Sequence, residues 1–266
     1  MEIAVGSRPG APQNGTDDAY VAEIVAPGVV LLAVAHGFGR IRERPAPAVA
    51  AQAVRDSLRR RVRRERRDPR AALASAFAAA NGRVYAHSGS TDDFVASGTS
   101  LTAALIVGDH AFVGHVGGTR AYLGREGTLA TLTTDDAVGD GPFRLLTRTL
   151  GTQPTLEPSV DHVRLMHGDA LVLSSGALHE LLGENEIADA LRASASSEDV
   201  TARLLAIAGI RGEGAGTVIV GRAFHEPPRV SSCTRPQVRE ATFALAVMVA
   251  ATVIAVLLLH AMFTPA

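Results

Sequence analysis

The chain has 266 residues, of which 47% are hydrophobic, and it carries a formal net charge of −1. This length is enough to bury one substantial core, and the charge excludes the overall basic excess that is typical of proteins that coat nucleic acid. Cys233 is the only cysteine, which excludes an intramolecular disulfide and a cysteine-based zinc cluster and fits a reducing compartment.

The first part of the chain predicts a buried strand followed by two helices. Residues 29–35 form a continuous apolar run, and the sequence His36-Gly37-Phe38-Gly39 that follows predicts a glycine turn. Residues 46–62 have a helical composition, and a second, Ala-rich helix is expected from near Pro69 to about Tyr85.

From Gly98 onward, short β-rich segments separated by glycine-containing turns predict an antiparallel meander. The predicted strands are 100–107, 111–116, 120–123, 128–132, 159–165, 170–174 and 217–220, and the predicted helices are 143–150, 177–182, 187–193 and 198–207. Strands interleaved with helix pairs indicate an α+β sandwich.

The last part of the chain predicts a membrane anchor. Residues 225–240 contain three prolines and no periodicity, which is typical of a linker. Residues 241–259 carry no charge, and the apolar segment 241–263 reaches the length of a bilayer crossing; a buried core helix is the alternative. Three arginines precede it, so the positive-inside rule predicts a single-pass protein of the cell membrane whose N-terminal domain, residues 1–224, is cytoplasmic.

Nine arginines between Arg55 and Arg70 stand against three acidic residues and give this stretch a local positive excess. It is either a solvated helix face or a surface for anionic lipid or for a phosphorylated or acidic partner. The candidate binding residues are Arg59, Arg60, Arg63 and Arg64. Nucleic acid is not expected, because no aromatic stacking platform accompanies the charges.

Several short segments occur in the order of a known set of motifs. They are residues 16–20 (Thr-Asp-Asp-Ala-Tyr), 34–39 (Val-Ala-His-Gly-Phe-Gly), 98–102 (Gly-Thr-Ser-Leu-Thr) and 117–122 (Gly-Gly-Thr-Arg-Ala-Tyr), followed by 132–136, 147–151, 168–175 and 217–220. This series resembles the signature of the metal-dependent type 2C (PPM-type) Ser/Thr protein phosphatases of bacteria. The resemblance covers nearly all of the soluble part and implies a β-sandwich of two antiparallel sheets flanked by helix pairs.

The resemblance also implies two Mg²⁺ or Mn²⁺ ions, held by aspartates, that activate a water against phosphoserine or phosphothreonine. In this sequence Asp18 stands at the Asp of the first motif and Asp17 at its Glu. His36 replaces the Asp that bridges the metals, and Gly37 offers only its backbone carbonyl. These four residues are the candidate metal ligands of a degenerate site, although His36 could instead be hydrogen-bonded to a neighbouring carboxylate.

The remaining ligand positions implied by the resemblance carry no carboxylate. Gly118, Gly176 and Gly214 stand where the family has aspartates, and Gln13 stands where bacterial members have the arginine that grips the substrate phosphate. A neutral amide cannot replace a bidentate cation in that role.

Because hard divalent cations need several anionic oxygens, the sequence predicts a catalytically impaired, membrane-anchored phosphatase-like domain with no resident cofactor and no assigned catalytic residue. Its expected partners are a phosphoprotein, a Ser/Thr kinase or another protein of bacterial Ser/Thr phosphorylation signalling. One alternative is an active Mn²⁺- or Mg²⁺-dependent protein Ser/Thr phosphatase with a reduced site at Asp17, Asp18 and His36. Another is an assembly module that uses the arginine-rich helix.

Overall fold

Two five-stranded antiparallel sheets organise the fold. The computed structural model describes residues 1–8, 18–38, 45–61, 68–88, 98–139, 145–212 and 216–224. All of them belong to the unit Met1–His225, and the second unit, Glu226–Ala266, lies outside the described residues. The strands are β1 (Glu2–Arg8), β2 (Asp18–Ala26), β3 (Val29–Phe38), β4 (Gly98–Val107), β5 (His110–Val116), β6 (Arg120–Arg125), β7 (Thr128–Thr131), β8 (Ala137–Val138), β9 (Leu145–Leu146), β10 (Ser159–Arg164), β11 (Ala170–Ser174) and β12 (Gly216–Arg222).

Sheet I has the strand order β1-β12-β11-β6-β7, and sheet II has the order β10-β5-β4-β3-β2, while β8 and β9 form a separate hairpin. The described helices are α1 (Ala46–Arg61), α2 (Pro69–Ser88), α3 (Gly176–Leu181), α4 (Glu184–Ala193) and α5 (Ser197–Arg211). Helices α1 and α2 cover the outer face of sheet II, and α3, α4 and α5 cover that of sheet I. The predicted class, a sandwich of two antiparallel sheets with helices on its outer faces, is therefore confirmed.

Burial on both faces explains the continuous apolar run in β3. Successive side chains of a strand point to opposite faces. Leu31 and Ala33 accordingly pack against α1 and α2, whereas Leu32 and Val34 pack between the two sheets. All four are fully buried, so no polar residue can alternate with them.

Two of the predicted elements are wrong in detail. Residues 145–150 are not helical: Leu145–Leu146 forms β9, and Leu150 exchanges two backbone hydrogen bonds with Thr99, at 3.1 and 2.9 Å. Residues 36–38 do not form the predicted turn, because β3 continues through Phe38 and pairs with the start of β4. In both places a distant strand supplies the hydrogen bonds, and local composition does not reveal such a partner.

None of the described helices is long and apolar enough to cross a membrane. The predicted membrane helix 241–263 and the linker 225–240 lie outside the described residues.

Asn81 joins α2 to the loop that follows Leu150. Its side chain, in a residue only 1% exposed, donates to the carbonyls of Gln153 and Pro154 at 2.9 and 3.3 Å, and its Oδ1 accepts from the backbone N–H of Gly151 at 2.9 Å. One amide therefore satisfies three backbone groups of a loop that has no strand of its own.

Replacing Asn81 with Ala should lower the free energy of unfolding by about 2–4 kcal/mol, because three hydrogen bonds disappear and a buried N–H loses its acceptor. Urea unfolding followed by circular dichroism measures the change. Gln52→Ala, which removes an exposed amide from α1, is the control and should cost less than about 0.5 kcal/mol. Equal stabilities of the two variants would show that the loop does not depend on Asn81.

Candidate functional site

The layer between the two sheets changes from apolar to polar at one end of the sandwich. In each of five strands, an apolar inter-sheet residue is followed, two positions nearer this end, by a polar one. Ser7 follows Val5 in β1, His36 follows Val34 in β3, Thr102 precedes Ala104 in β4, His115 follows Val113 in β5, and Thr217 precedes Ile219 in β12. We call this region the polar end.

Asp18 and His36 form a hydrogen-bonded pair at the polar end. They face each other in the register of β2 and β3, and the Nδ1 of His36 donates to Oδ1 of Asp18 at 2.6 Å. The Asp18 side chain is only 3% exposed and that of His36 is 19% exposed. Oδ2 of Asp18 is buried and has no hydrogen-bond partner within the described part of the chain. The hydrogen bond of His36 to a neighbouring carboxylate, one of the two arrangements considered from the sequence, is thus present.

Gly176 lies directly beside His36 and next to the carbonyl of Gly118. A Cβ atom placed on Gly176 would be 3.4 Å from the carbonyl oxygen of Gly118, 3.4 Å from Cδ2 of His36 and 3.9 Å from its Nε2. The Gly118 carbonyl in turn accepts a hydrogen bond from Nε2 of His179 at 2.7 Å. Three motifs that are far apart in the sequence thus meet at one point, and a side chain at position 176 would lie in van der Waals contact with the imidazole.

The turn that carries Gly118 is tightly held. Gly117 has φ +99°, and a Cβ there would lie 2.3 Å from Oγ of Ser100, so only glycine fits. The N–H of Gly118 donates to the same Oγ at 2.9 Å. Asp136 accepts from the N–H of Gly117 at 2.9 Å and donates its own N–H to the Gly117 carbonyl at 2.8 Å.

The carboxylates next to this turn are already engaged. Asp135 makes a bidentate pair with Arg120, with its shortest contact at 2.8 Å, and this pairing raises the pKa of Arg120 further above its ordinary value. Asp136, besides holding Gly117, lies 3.4 Å from Nε of Arg148. Composition and spacing do not predict these supporting contacts, because each joins groups brought together only by the sheets.

The described residues do not fit a pair of divalent cations. Among them, no group of three or more His, Cys, Asp and Glu side chains lies together in a way that could hold a metal ion. Asp18 has one oxygen engaged by His36, and glycines occupy positions 118 and 176. Mg²⁺ and Mn²⁺ favour shells rich in anionic oxygen, and here a single buried carboxylate oxygen without a partner remains. Asp17, Gly214 and Gln13 lie outside the described residues.

The predicted basic surface is partly neutralised. Arg59 pairs with Glu23 at 2.9 Å and Arg55 pairs with Asp56 at 3.0 Å, while Arg60 is exposed at the end of α1. Arg63 and Arg64 lie outside the described residues. Arg59 and Arg60 lie near the end of α1. Neither side chain takes part in the contacts of the polar end described above.

His115 is a second buried histidine of the polar end. It is 1% exposed, its Nδ1 lies 2.9 Å from Oγ1 of Thr102, and its Nε2 has no partner within the described residues. Burial lowers the pKa of His115 below its ordinary value, and the charges of Asp136 and Asp135 offset part of that effect. A charged imidazole is therefore disfavoured in the folded domain.

Known proteins share this architecture. The family model described as "Protein phosphatase 2C" matches residues 29–140. The serine/threonine protein phosphatase PstP of Mycobacterium tuberculosis is 30% identical over 223 residues, which are 78% of this chain and 41% of that protein. The crystal structure of the M. tuberculosis phosphatase superposes with a TM-score of 0.71 at 27% identity, covering 84% of this chain and 99% of that one. A structure of the PstP catalytic domain with two manganese ions gives 0.70 at 27% identity, covering 84% and 98%.

The two-sheet sandwich and the motifs that meet at its polar end define a PPM-type Ser/Thr phosphatase fold. The chain belongs to the protein phosphatase 2C family, and its relatives include bacterial Ser/Thr phosphatases. It spans between 41% and 60% of the length of the curated relatives that it matches.

His115 should make the domain less stable in mild acid. The unfolded chain binds a proton at His115 near pH 6.5 and the folded domain does so only at lower pH, so stability is lost as pH falls below 6.5, by at most about 1.4 kcal/mol per pH unit from this group. His115→Asn retains a polar atom facing Thr102 but cannot titrate. Between pH 7.5 and 5.5, the urea midpoint of this variant should therefore fall less than that of the unaltered chain. His167→Asn, at an exposed position, is the control. If the midpoint of His115→Asn falls with pH as much as that of the unaltered chain, His115 is not the source of the acid sensitivity.

Proposed function

We propose that this chain is a catalytically impaired member of its family, anchored in the cell membrane, which recognises phosphorylated signalling partners without hydrolysing them. The observation that carries the proposal is the position of His36. Its imidazole engages Asp18 at 2.6 Å and lies beside Gly176, which in turn adjoins the Gly118 carbonyl; 118 and 176 are positions at which the family resemblance implies anionic ligands.

Electrostatics favours this reading over hydrolysis. Activation of a water molecule by two divalent ions requires that both ions stay bound, and Mg²⁺ and Mn²⁺ bind through several oxygen ligands. At the polar end, one carboxylate is held by a neutral or cationic imidazole and two glycines contribute no side-chain ligand. The manganese pair in the PstP catalytic domain belongs to that protein, and the described residues here supply no comparable set.

The expected partners are a phosphoprotein, a Ser/Thr kinase or another protein of bacterial Ser/Thr phosphorylation signalling. Support comes from the retained scaffold: the sheets, the Gly117 turn and the ion pair of Arg120 with Asp135 are all intact. A fold of this kind can keep a binding surface after its chemistry is lost, because function resides in the site and not in the fold.

The membrane part of the proposal rests on the sequence. The uncharged segment 241–259, extended to residue 263, and the arginines before it favour a single crossing with the phosphatase-like domain, residues 1–224, in the cytoplasm and residues 225–240 as linker.

One observation favours a second candidate, an active Mn²⁺- or Mg²⁺-dependent protein Ser/Thr phosphatase. Oδ2 of Asp18 is buried and has no described partner, and a buried carboxylate oxygen without a donor is costly unless a cation or water satisfies it. A single metal ion on Asp18, with Asp17 and His36 nearby, would satisfy it. This candidate requires metal binding that the first proposal does not.

Titration of the purified chain with Mn²⁺, together with an assay on a phosphothreonine peptide, separates the two candidates. We expect no saturable heat of binding and no manganese-dependent phosphate release above that of Asp18→Asn, which retains an oxygen for His36 but removes the charge. Manganese-dependent turnover that Asp18→Asn abolishes would establish the second candidate and refute the first.

Restoring the carboxylates implied by the family should restore metal binding. In a variant with His36→Asp, Gly118→Asp, Gly176→Asp and Gly214→Asp, the clustered negative charges repel one another without metal, so Mn²⁺ should raise the thermal midpoint. The rise should be several degrees, since binding at about 100 times Kd contributes about 2.7 kcal/mol. The unaltered chain should show no such rise.

Gly176→Asp alone is the internal control for this series. Its Cβ would lie in van der Waals contact with the imidazole of His36, so the carboxylate can pair with that ring, and the addition of His36→Asp should cost more than the sum of the two single changes because it sets two carboxylates side by side. Neighbouring sites that share space typically couple by about 0.5–3 kcal/mol, and a double-mutant cycle measures this term. Strict additivity would show that His36 does not occupy the space beside residue 176.

A further inference from the structure

The strands of both sheets run between two opposite ends of the domain. The polar end holds His36, Ser100 and Gly118, where β3 ends, β4 begins and the β5–β6 turn lies. The other end is where β12 finishes at Arg222 and where the chain continues beyond Phe224. We call it the exit end, because Phe224, the last described residue, lies there.

Large apolar side chains are exposed together at the exit end. Met1 is 39% exposed, Met166 53% and Phe224 49%. Sδ of Met1 lies 3.3 Å from the position of a Cβ on Gly221, and the ring of Phe224 lies 6.4 Å from that of His167. The exit-end patch is defined as Met1, Met166 and Phe224.

Backbone contacts join the parts of the patch. Glu2 faces Arg222 in the register of β1 and β12, which sets Met1 beside the end of β12, and the N–H of Gly168 donates to the Ala223 carbonyl at 2.9 Å. Ile24, 71% exposed, lies two residues before the end of β2 at the same end. Exposed apolar groups that cluster in this way are typical of an interaction surface.

Two arginines near the exit-end patch are paired with carboxylates. Arg125 pairs with Asp169 at 2.6 Å, and Arg164 pairs with Asp109 at 2.6 Å. The side chains of the patch itself are apolar. Attachment through it would depend on removing apolar surface from water, which distinguishes it from a phosphate-binding or polyelectrolyte-binding surface.

The chain that continues from the patch indicates what covers it. Only the sixteen residues 225–240 separate Phe224 and the uncharged segment that begins at residue 241, and a flexible chain of that length has an end-to-end distance of about 20–25 Å. Arg229, Arg235 and Arg239 in this stretch suit an anionic lipid surface. Phe and Met side chains suit the boundary between headgroups and acyl chains.

We infer that the exit-end patch of Met1, Met166 and Phe224 docks onto the lipid bilayer, so that the polar end with His36 faces away from the membrane towards soluble partners. The inference rests on the membrane anchoring proposed above. It adds an orientation to that anchoring. The domain rests on the bilayer by its exit end and turns its polar end towards the cytoplasm, instead of moving freely at the end of a linker.

The absence of tryptophan from the chain permits a direct test with single indole probes. Phe224→Trp and Met166→Trp place a probe in the patch. Leu145→Trp is the matched control, because Leu145 is 67% exposed in the hairpin that packs beside the Gly117 turn at the polar end. Each full-length variant is reconstituted into phosphatidylcholine and phosphatidylglycerol vesicles, with and without bromine atoms near the top of the acyl chains.

The two patch variants should lose about half of their emission in brominated vesicles, because side chains docked about 5–10 Å into the interface contact the bromines. Leu145→Trp should lose none. Adding Phe224→Glu to Met166→Trp should reduce the quenching, whereas adding Phe224→Leu should not.

Three other results would overturn the inference in different ways. If the chain resists an alkaline carbonate wash but all three probes remain unquenched, anchoring stands and docking is wrong. If the wash removes the chain from the vesicles, the anchoring fails and the inference fails with it. A blue-shifted but unquenched patch emission would show that protein, such as a second copy of the chain, covers the patch instead of lipid.

Discussion

The hydrogen bond between His36 and Asp18 determines what the polar end of this domain can do. A buried carboxylate must be satisfied by a cation or by donors, and here an imidazole nitrogen at 2.6 Å meets part of that need. The same ring lies against Gly176 and near the Gly118 carbonyl. A divalent ion that used Oδ1 of Asp18 would have to compete with a contact that the folded chain already makes.

Much of the fold could be predicted from the sequence, and the failures have a common cause. The apolar run 29–35 predicts a buried strand, and the β-rich segments after Gly98 predict most of the later strands. The single meander expected for them is wrong, because β4 and β5 pair in sheet II whereas β6 and β7 pair in sheet I. The helix expected over 143–150 is wrong because leucines at such spacing suit a helix or an extended segment equally well. The pairing of Leu150 with Thr99 decides between them. Strands β1 and β2 have no counterpart among the individually predicted segments, since neither stands out as an apolar run.

The site could be predicted in outline because each of its motifs is a short stretch of sequence. The hydrogen bonds that hold these motifs in place join residues far apart in the sequence and could not be predicted. The order of the motifs indicated that residues 18, 36, 118 and 176 lie together, and the contacts of His36 with Asp18 and beside Gly176 agree with it. The hydrogen bond from His179 to Gly118 and the grip of Asp136 on Gly117 link residues 19 to 61 positions apart. Such contacts depend on how the sheets place their turns, which spacing along the chain does not encode.

The contact between His36 and Gly176 makes these two positions interdependent as the sequence changes. An aspartate at position 176 would lie beside the ring, whereas an aspartate at position 36 would face the carboxylate of Asp18 without a counterion. Replacing His36 alone therefore sets two carboxylates side by side in a buried place, which is unfavourable until a cation or a further substitution compensates. The order in which these codons change thus affects which neighbouring sequences can be reached from this one.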